Sequence, residues 1–276
     1  MAQKKASSSR KRLAYVPFDR VAETFDRTRF IPVDVLNRAY RLVFKKLHFE
    51  GDITILDAGV GTGRIIRPLM QRKVTLIGID ISIPMLWKLR KRYQVRRRPM
   101  ILHVIRADVA HLPVRNSSIT MVQSTHLLHL LNNWKAAVRE WRRVLIPKGS
   151  IVVFQESGRS SSVRLAYDRG IEQATPSRRR RRIYSRLTKF LRHSGWRTQQ
   201  DKIEWNQKTS LATILQSFED RSYSRQWDLP DEIHARAIAN ARAYVKKQYS
   251  QGIRSEESPC TLLILRATRS PEKGRR

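Results

Sequence analysis

Asp57-Ala58-Gly59-Val60-Gly61-Thr62-Gly63 places glycine at alternate positions directly after the apolar run Ile53 to Leu56. Glycine enters left-handed backbone without a steric penalty and has no Cβ, so such a turn brings main-chain N–H groups against a ligand. The dinucleotide spacing G-x-G-x-x-G started at Gly59 requires a glycine where Arg64 stands. Two acids extend the pattern. Asp80 closes the run Leu76-Ile77-Gly78-Ile79, at the distance past the glycines where a nucleotide fold places an acid on ribose hydroxyls, and Asp108 follows Ile101 to Arg106. Adjacent strand ends of a parallel sheet lie side by side, so glycines and carboxylates are expected to share one cleft and grip an extended nucleoside. Either acid alone reads equally well as a cap or a turn former.

His126 and His129 follow the fourth apolar run, in Ser124-Thr125-His126-Leu127-Leu128-His129. Three residues apart, they share one face of a helical turn and are the candidate catalytic bases; packing beside a ligand is the alternative. Two histidines without a third ligand make no metal site, and no metal is expected. Glu156 ends the fifth run at the cleft mouth. Trp205, Phe218, Tyr223 and Trp227 can wall an acceptor pocket or, equally, pack a lid onto the domain, whereas Trp87, Trp134 and Trp141 fall at helix-packing positions and are expected in the core. The single cysteine, Cys260, sits in an apolar run, which suits a core residue and a reducing, cytoplasmic setting.

These residues need a scaffold of alternating strands and helices. Short apolar runs at 53–56 and 74–79 read as strands buried on both faces, and 101–106, 119–124 and 150–155 read as the third, fourth and fifth strands. Thr62 to Arg72 has the length of a crossover helix, Ser82 and Pro84 open another, and Trp134 to Val144 forms a third. The expected fold is α/β, a Rossmann-like doubly wound, mostly parallel seven-stranded sheet with helical lid insertions. The domains read as a basic disordered leader (1–17), a helical cap (18–50), the core (51–157), lid insertions with a sixth strand (158–257), a final strand (258–268) and a basic tail (269–276).

The formal net charge is +33, from 56 Lys and Arg against 23 Asp and Glu. A field of that sign attracts nucleic acid or an anionic surface non-specifically and fades with salt. Much of it lies in runs, Arg10 to Arg12, Arg96 to Arg98 and Arg178 to Arg182, which read first as solvated surface. No apolar run reaches membrane-spanning length. Oligomeric state is not encoded in any motif.

Ile55 to Arg64, Ile77 to Ser82, Pro84 to Arg92, Ala107 to Val114 and His126 to Val153 resemble the successive motifs of class I S-adenosylmethionine-dependent methyltransferases. The resemblance is nearest to the small-molecule branch with the ubiquinone and menaquinone C-methyltransferases. It implies that Asp57, Gly59, Gly61 and Gly63 shape a loop around the methionine part of S-adenosylmethionine. Asp80 and Ile81 would meet the ribose, Asp108 and Val109 the adenine, and Ser124, within Gln123 to His126, the floor near the methyl group. Phe25, Asp26 and Arg29 match a stretch that folds over the cofactor. Thr120 and Lys148 depart from the pattern, where an acid and a glycine are common. The implied activity is in-line methyl transfer to an O, N or C nucleophile of a small molecule. An RNA methyltransferase and a non-catalytic cofactor-binding scaffold are the alternatives.

Overall fold

The computed structural model describes residues 18–94, 99–157, 161–172, 178–249 and 252–269. The expected leader, Arg96 to Arg98 and the tail past 269 lie outside the described residues, as do the side chains of Arg178 to Arg182.

One sheet holds β1 (Thr54–Ala58), β2 (Thr75–Asp80), β3 (Ile101–Arg106), β4 (Ile119–Thr125), β5 (Leu145–Ser157), β6 (Trp196–Ser210) and β7 (Ser255–Arg269), in the order β3-β2-β1-β4-β5-β7-β6. The first five are parallel, and β7 runs antiparallel between β5 and β6. The inner strands are buried on both faces, and alternation divides them: Ile55, Met121, Val152 and Ile264 join one core, Leu56, Val122, Val153 and Leu265 the other; the edge strands β3 and β6 are mostly exposed or half-buried. The first core is covered by α2 (Val33–Leu47) and α3 (Ile83–Tyr93), the second by α4 (Trp134–Val144) and α6 (Arg178–His193). Cys260 is buried in β7, Trp134 and Trp141 are buried in α4, and Ser82 caps α3 by accepting from the Met85 N–H.

Three further helices, α5 (Ser162–Ile171), α7 (Leu211–Glu219) and α8 (Asp231–Gln248), leave the ends of β5 and β6 and share a separate small core in which Tyr167 stacks on Phe218 at 4.3 Å. They form the lid. Of the segment expected there, α6 instead packs on the sheet, with Ile183, Leu187 and Leu191 in the second core.

Two other expectations are corrected. Thr62 to Arg72 does not form a crossover helix; only a 3₁₀ turn at Arg67–Gln71 is present. Pro68 lies mid-segment, where it removes an N–H and its ring would clash with the carbonyl four residues back in an α-helix. Trp87 is 69% exposed rather than core, because α3 buries Met85, Leu86, Leu89 and Tyr93, and position 87 lies on the opposite side of that stripe.

Candidate active site

All three loop glycines have positive φ, +76° at Gly59, +54° at Gly61 and +72° at Gly63. The N–H groups of Gly59 and Val60 donate to the Ile79 carbonyl at 2.8 and 3.0 Å, tying the turn to the end of β2. Asp80 completes the tie: Oδ2 accepts from Gly61 N–H and Oδ1 from Ser82 N–H, each at 2.9 Å. Burial pushes its carboxyl upward, opposed by these N–H groups, which favour the charged form. A Cβ at Gly63 would overlap Leu89 and Tyr93, whereas one at Gly61 would meet nothing within 4 Å. Gly63 therefore serves packing, and Gly61 borders open space.

Asp57, at the penultimate position of β1, is 2% exposed. Its Oδ2 accepts from Gln123 Nε2 at 2.9 Å, and Gln123 Oε1 accepts from the Tyr40 hydroxyl at 2.9 Å. Its Oδ1 is buried without a hydrogen-bond partner. Burial pushes this carboxyl up to about 7. A buried carboxylate oxygen left unsatisfied beside a left-handed loop is suited to a cationic donor. This relay was missed by sequence reasoning, although Gln123 is a polar residue inside an apolar strand and Tyr40 lies on the apolar stripe of α2.

The register Ala58↔Ser124 brings Ser124 beside the loop, but its hydroxyl donates to the Ala58 carbonyl at 2.9 Å and is held within the sheet. The register Asp80↔Arg106 carries β3 toward Asp108, which is half-exposed and accepts from the Ala110 N–H at 2.9 Å, as a turn former does. Val109 is buried in the second core, and the Ile81 carbonyl accepts from Arg106 Nε at 3.2 Å. Asp57, the glycines, Asp80 and Ser124 are thus brought together by direct contacts, while Asp108 joins them through strand register alone.

His126 takes a left-handed conformation, φ +53°, unusual for a side-chain-bearing residue. The next residue, Leu127, lies 3.0 Å from where a Cβ of Gly59 would stand, so this turn rests on the glycine loop. Glu156 N–H donates to His126 Nε2 at 3.3 Å, which leaves the proton of a neutral ring on Nδ1, and a Glu156 carboxylate oxygen lies 3.8 Å from the same Nε2. His129 follows within the 3₁₀ turn Leu128–Leu130, its ring edge-on to His126 with centroids 6.5 Å apart.

The N-terminal segment straps this site to the lid. Within α1 (Phe25–Thr28), Asp26 accepts from the Thr62 hydroxyl at 2.5 Å and pairs with Arg92. Arg29 donates to the Ser222 carbonyl at 2.7 Å, and Arg27 pairs with Asp220 at 3.1 Å. The Arg29 guanidinium lies 4.4 Å from the Phe25 ring centre and 5.4 Å from that of Tyr223, and Phe18 touches both Phe25 and Trp227 edge-on. Phe25, Arg29, Tyr223 and Trp227 therefore assemble, whereas Trp205 packs against the first core.

The strand order, the reversed last strand and the glycine turn closing β1 make a Rossmann-like fold. Residues 56–153 match a family described as a methyltransferase domain. Among curated proteins, the chain is 31% identical over 150 residues to a malonyl-[acyl-carrier protein] O-methyltransferase of Halorhodospira halophila, covering 53% of this chain and 49% of that protein. It is 30% identical over 141 residues to a demethylmenaquinone methyltransferase of Renibacterium salmoninarum, covering 51% and 57%. The chain spans about half the length of these relatives. Among solved structures, the YcgJ protein of Bacillus subtilis aligns with a TM-score of 0.52 at 15% identity, over 87% of this chain and 100% of that one. A Bacillus halodurans protein provisionally described as a methyltransferase aligns at 0.54 and 13% identity, over 87% and 100%. Among the described residues, no helix is long and apolar enough to cross a membrane.

Proposed function

We propose that this protein is an S-adenosylmethionine-dependent methyltransferase whose acceptor is a small molecule with an O, N or C nucleophile. The observation that carries the reading is the pairing of a left-handed glycine loop, bolted by Asp80, with the unpartnered buried oxygen of Asp57. The donor set fits the cofactor: Asp57 suits an ammonium, Asp80 hydroxyls, and Gly61 a close backbone approach. When bound, S-adenosylmethionine supplies a methyl group already activated on a sulfonium.

The chain's own work is then binding and orientation, worth about 7 to 11 kcal/mol in favourable intramolecular systems. Asp57, the loop and Asp80 hold the donor. The cap, fastened to Thr62 and to the lid, excludes water. For an acceptor that must lose a proton, His126, whose turn rests on Gly59, is the residue to take it on Nε2 once that nitrogen exchanges the Glu156 N–H for the acceptor; the Glu156 carboxylate, 3.8 Å away, then steadies the imidazolium, and His129 packs beside it.

Transfer of a labelled methyl group to separated small-molecule and RNA fractions tests this directly. Label in small molecules alone is expected; label confined to RNA, or none in either fraction despite cofactor binding, overturns the reading.

A further inference from the structure

A cavity of about 300 Å³ opens between the cap, the lid and the ends of β6 and β7. Its described lining contains no carboxylate, yet includes Arg27, Arg164 and Lys208. Arg27 is engaged by Asp220, but Arg164 has no ion pair among the described residues; its guanidinium carbon lies over the Tyr223 ring, 4.0 Å from the centre. Ser258 also lines the cavity, is 7% exposed, and has no hydrogen bond to its hydroxyl among the described residues. Both α5 and α7 start here, with Ser161 and Ser210 as N-caps; the Glu256 carboxylate accepts from the Ser162 N–H at 2.6 Å and offsets the positive end of α5, whereas α7 has no acid in its first turn. Apolar surface comes from Phe30, Ile214 and Phe218.

A neighbouring group indicates uncompensated positive charge. Arg225, although paired with Asp168, has a buried Nε without an acceptor, and burial together with the Arg164 charge pushes its guanidinium down to about 10. An anion beside Arg164 would relieve that repulsion. The cavity is linked to the proposed reaction site through α1: Asp26 bonds Thr62 of the glycine loop, and Thr28, two residues on, lines the cavity.

We propose that this cavity binds a small anionic amphiphile, its carboxylate or phosphate on Arg164, Ser258 and the start of α7 and its apolar body on Phe30, Ile214 and Phe218. That this ligand class is the methyl acceptor rests on the methyl-transfer reading; the binding itself does not.

Calorimetric titration of the full chain with hexanoate, hexyl phosphate, hexanol and hexylammonium is the test. Saturable binding of one or both anions is expected, the tighter one naming the head group, with at least a roughly 10-fold loss in Arg164→Gln, since hydrogen bonds to charged groups are worth about 1.5 to 3 kcal/mol. Lys208→Gln, at an exposed rim position that places no demand on folding, is expected to weaken both anions less. Hexanol binding as tightly as either anion, or unchanged affinity in both variants, overturns the proposal. Asp80→Ala separates the two readings. Anion binding retained in that variant supports the cavity whatever happens to methyl transfer, and methyl transfer without anion binding by the wild-type chain sinks the cavity alone.

Discussion

The main-chain N–H of Gly61 donates to the Asp80 carboxylate at 2.9 Å, across the gap between the first and second strand ends. This bond fixes the most open glycine of the turn to the acid expected on the ribose. Replacing Asp80 with Ala should speed hydrogen exchange at the Gly61 amide, and Asp80→Asn, which keeps one acceptor oxygen, should do so less. Equal protection in all three proteins would mean that the loop is held by the Ile79 carbonyl alone.

Asp57 makes a pH prediction whose sign follows from burial. Its carboxyl is pushed from 3.8 to about 7 in the folded chain, so the native state keeps a proton that the unfolded state has lost. Stability is therefore expected to fall as pH rises from about 4 through 7. Relative to Asp57→Asn, the wild-type chain should lose about 4 kcal/mol over that window, an order-of-magnitude figure. Urea unfolding at several pH values measures it, and a constant difference between the two proteins would contradict it. An ammonium bound at Asp57 should also release a proton near neutral pH, visible as a buffer-dependent binding heat.

Gly61 and Gly63 should separate binding from stability. Gly63→Ala forces a side chain into Leu89 and Tyr93 at positive φ and is expected to cost stability, by about 1 to 3 kcal/mol for overpacking. Gly61→Ala has room and only backbone strain of about 1 kcal/mol, so its main effect should be on cofactor affinity. Thermal melts and titrations of both variants check the split.

His126→Asn is expected to lower kcat by about 10² to 10⁴ for an acceptor that must be deprotonated, with cofactor affinity unchanged. A pH–rate profile that loses its acidic limb in the variant is the signature; an unchanged kcat would leave His126 as a packing residue on the loop.

Trp87 and Trp141 test where reading from sequence failed and held. Trp141→Ala, in the second core, should cost about 3 to 5 kcal/mol, and Trp87→Ala, on the solvent face of α3, within about 0.5 kcal/mol. The sequence carries no residue-level sign of that difference except the phase of the apolar stripe. Strand runs such as Ile151 to Phe154 were legible because continuous burial on both faces leaves an unbroken apolar signature. Pro68 was equally visible and argued against the helix assigned there. The relay from Tyr40 through Gln123 to Asp57 was not legible, because it joins residues brought together only by packing α2 on the sheet. Arg164 escaped for the same reason: among so many basic residues, only its stacking on Tyr223 above a cavity without acids sets it apart.

The most direct test of the nucleoside cradle is titration of S-adenosylmethionine and S-adenosylhomocysteine into the wild-type chain and into Asp80→Ala. Saturable one-to-one binding by the wild type and a loss of about 100-fold or more in the variant, about 2.7 kcal/mol, is the expected result. No binding by the folded wild-type chain, or equal affinity in both proteins, would contradict it.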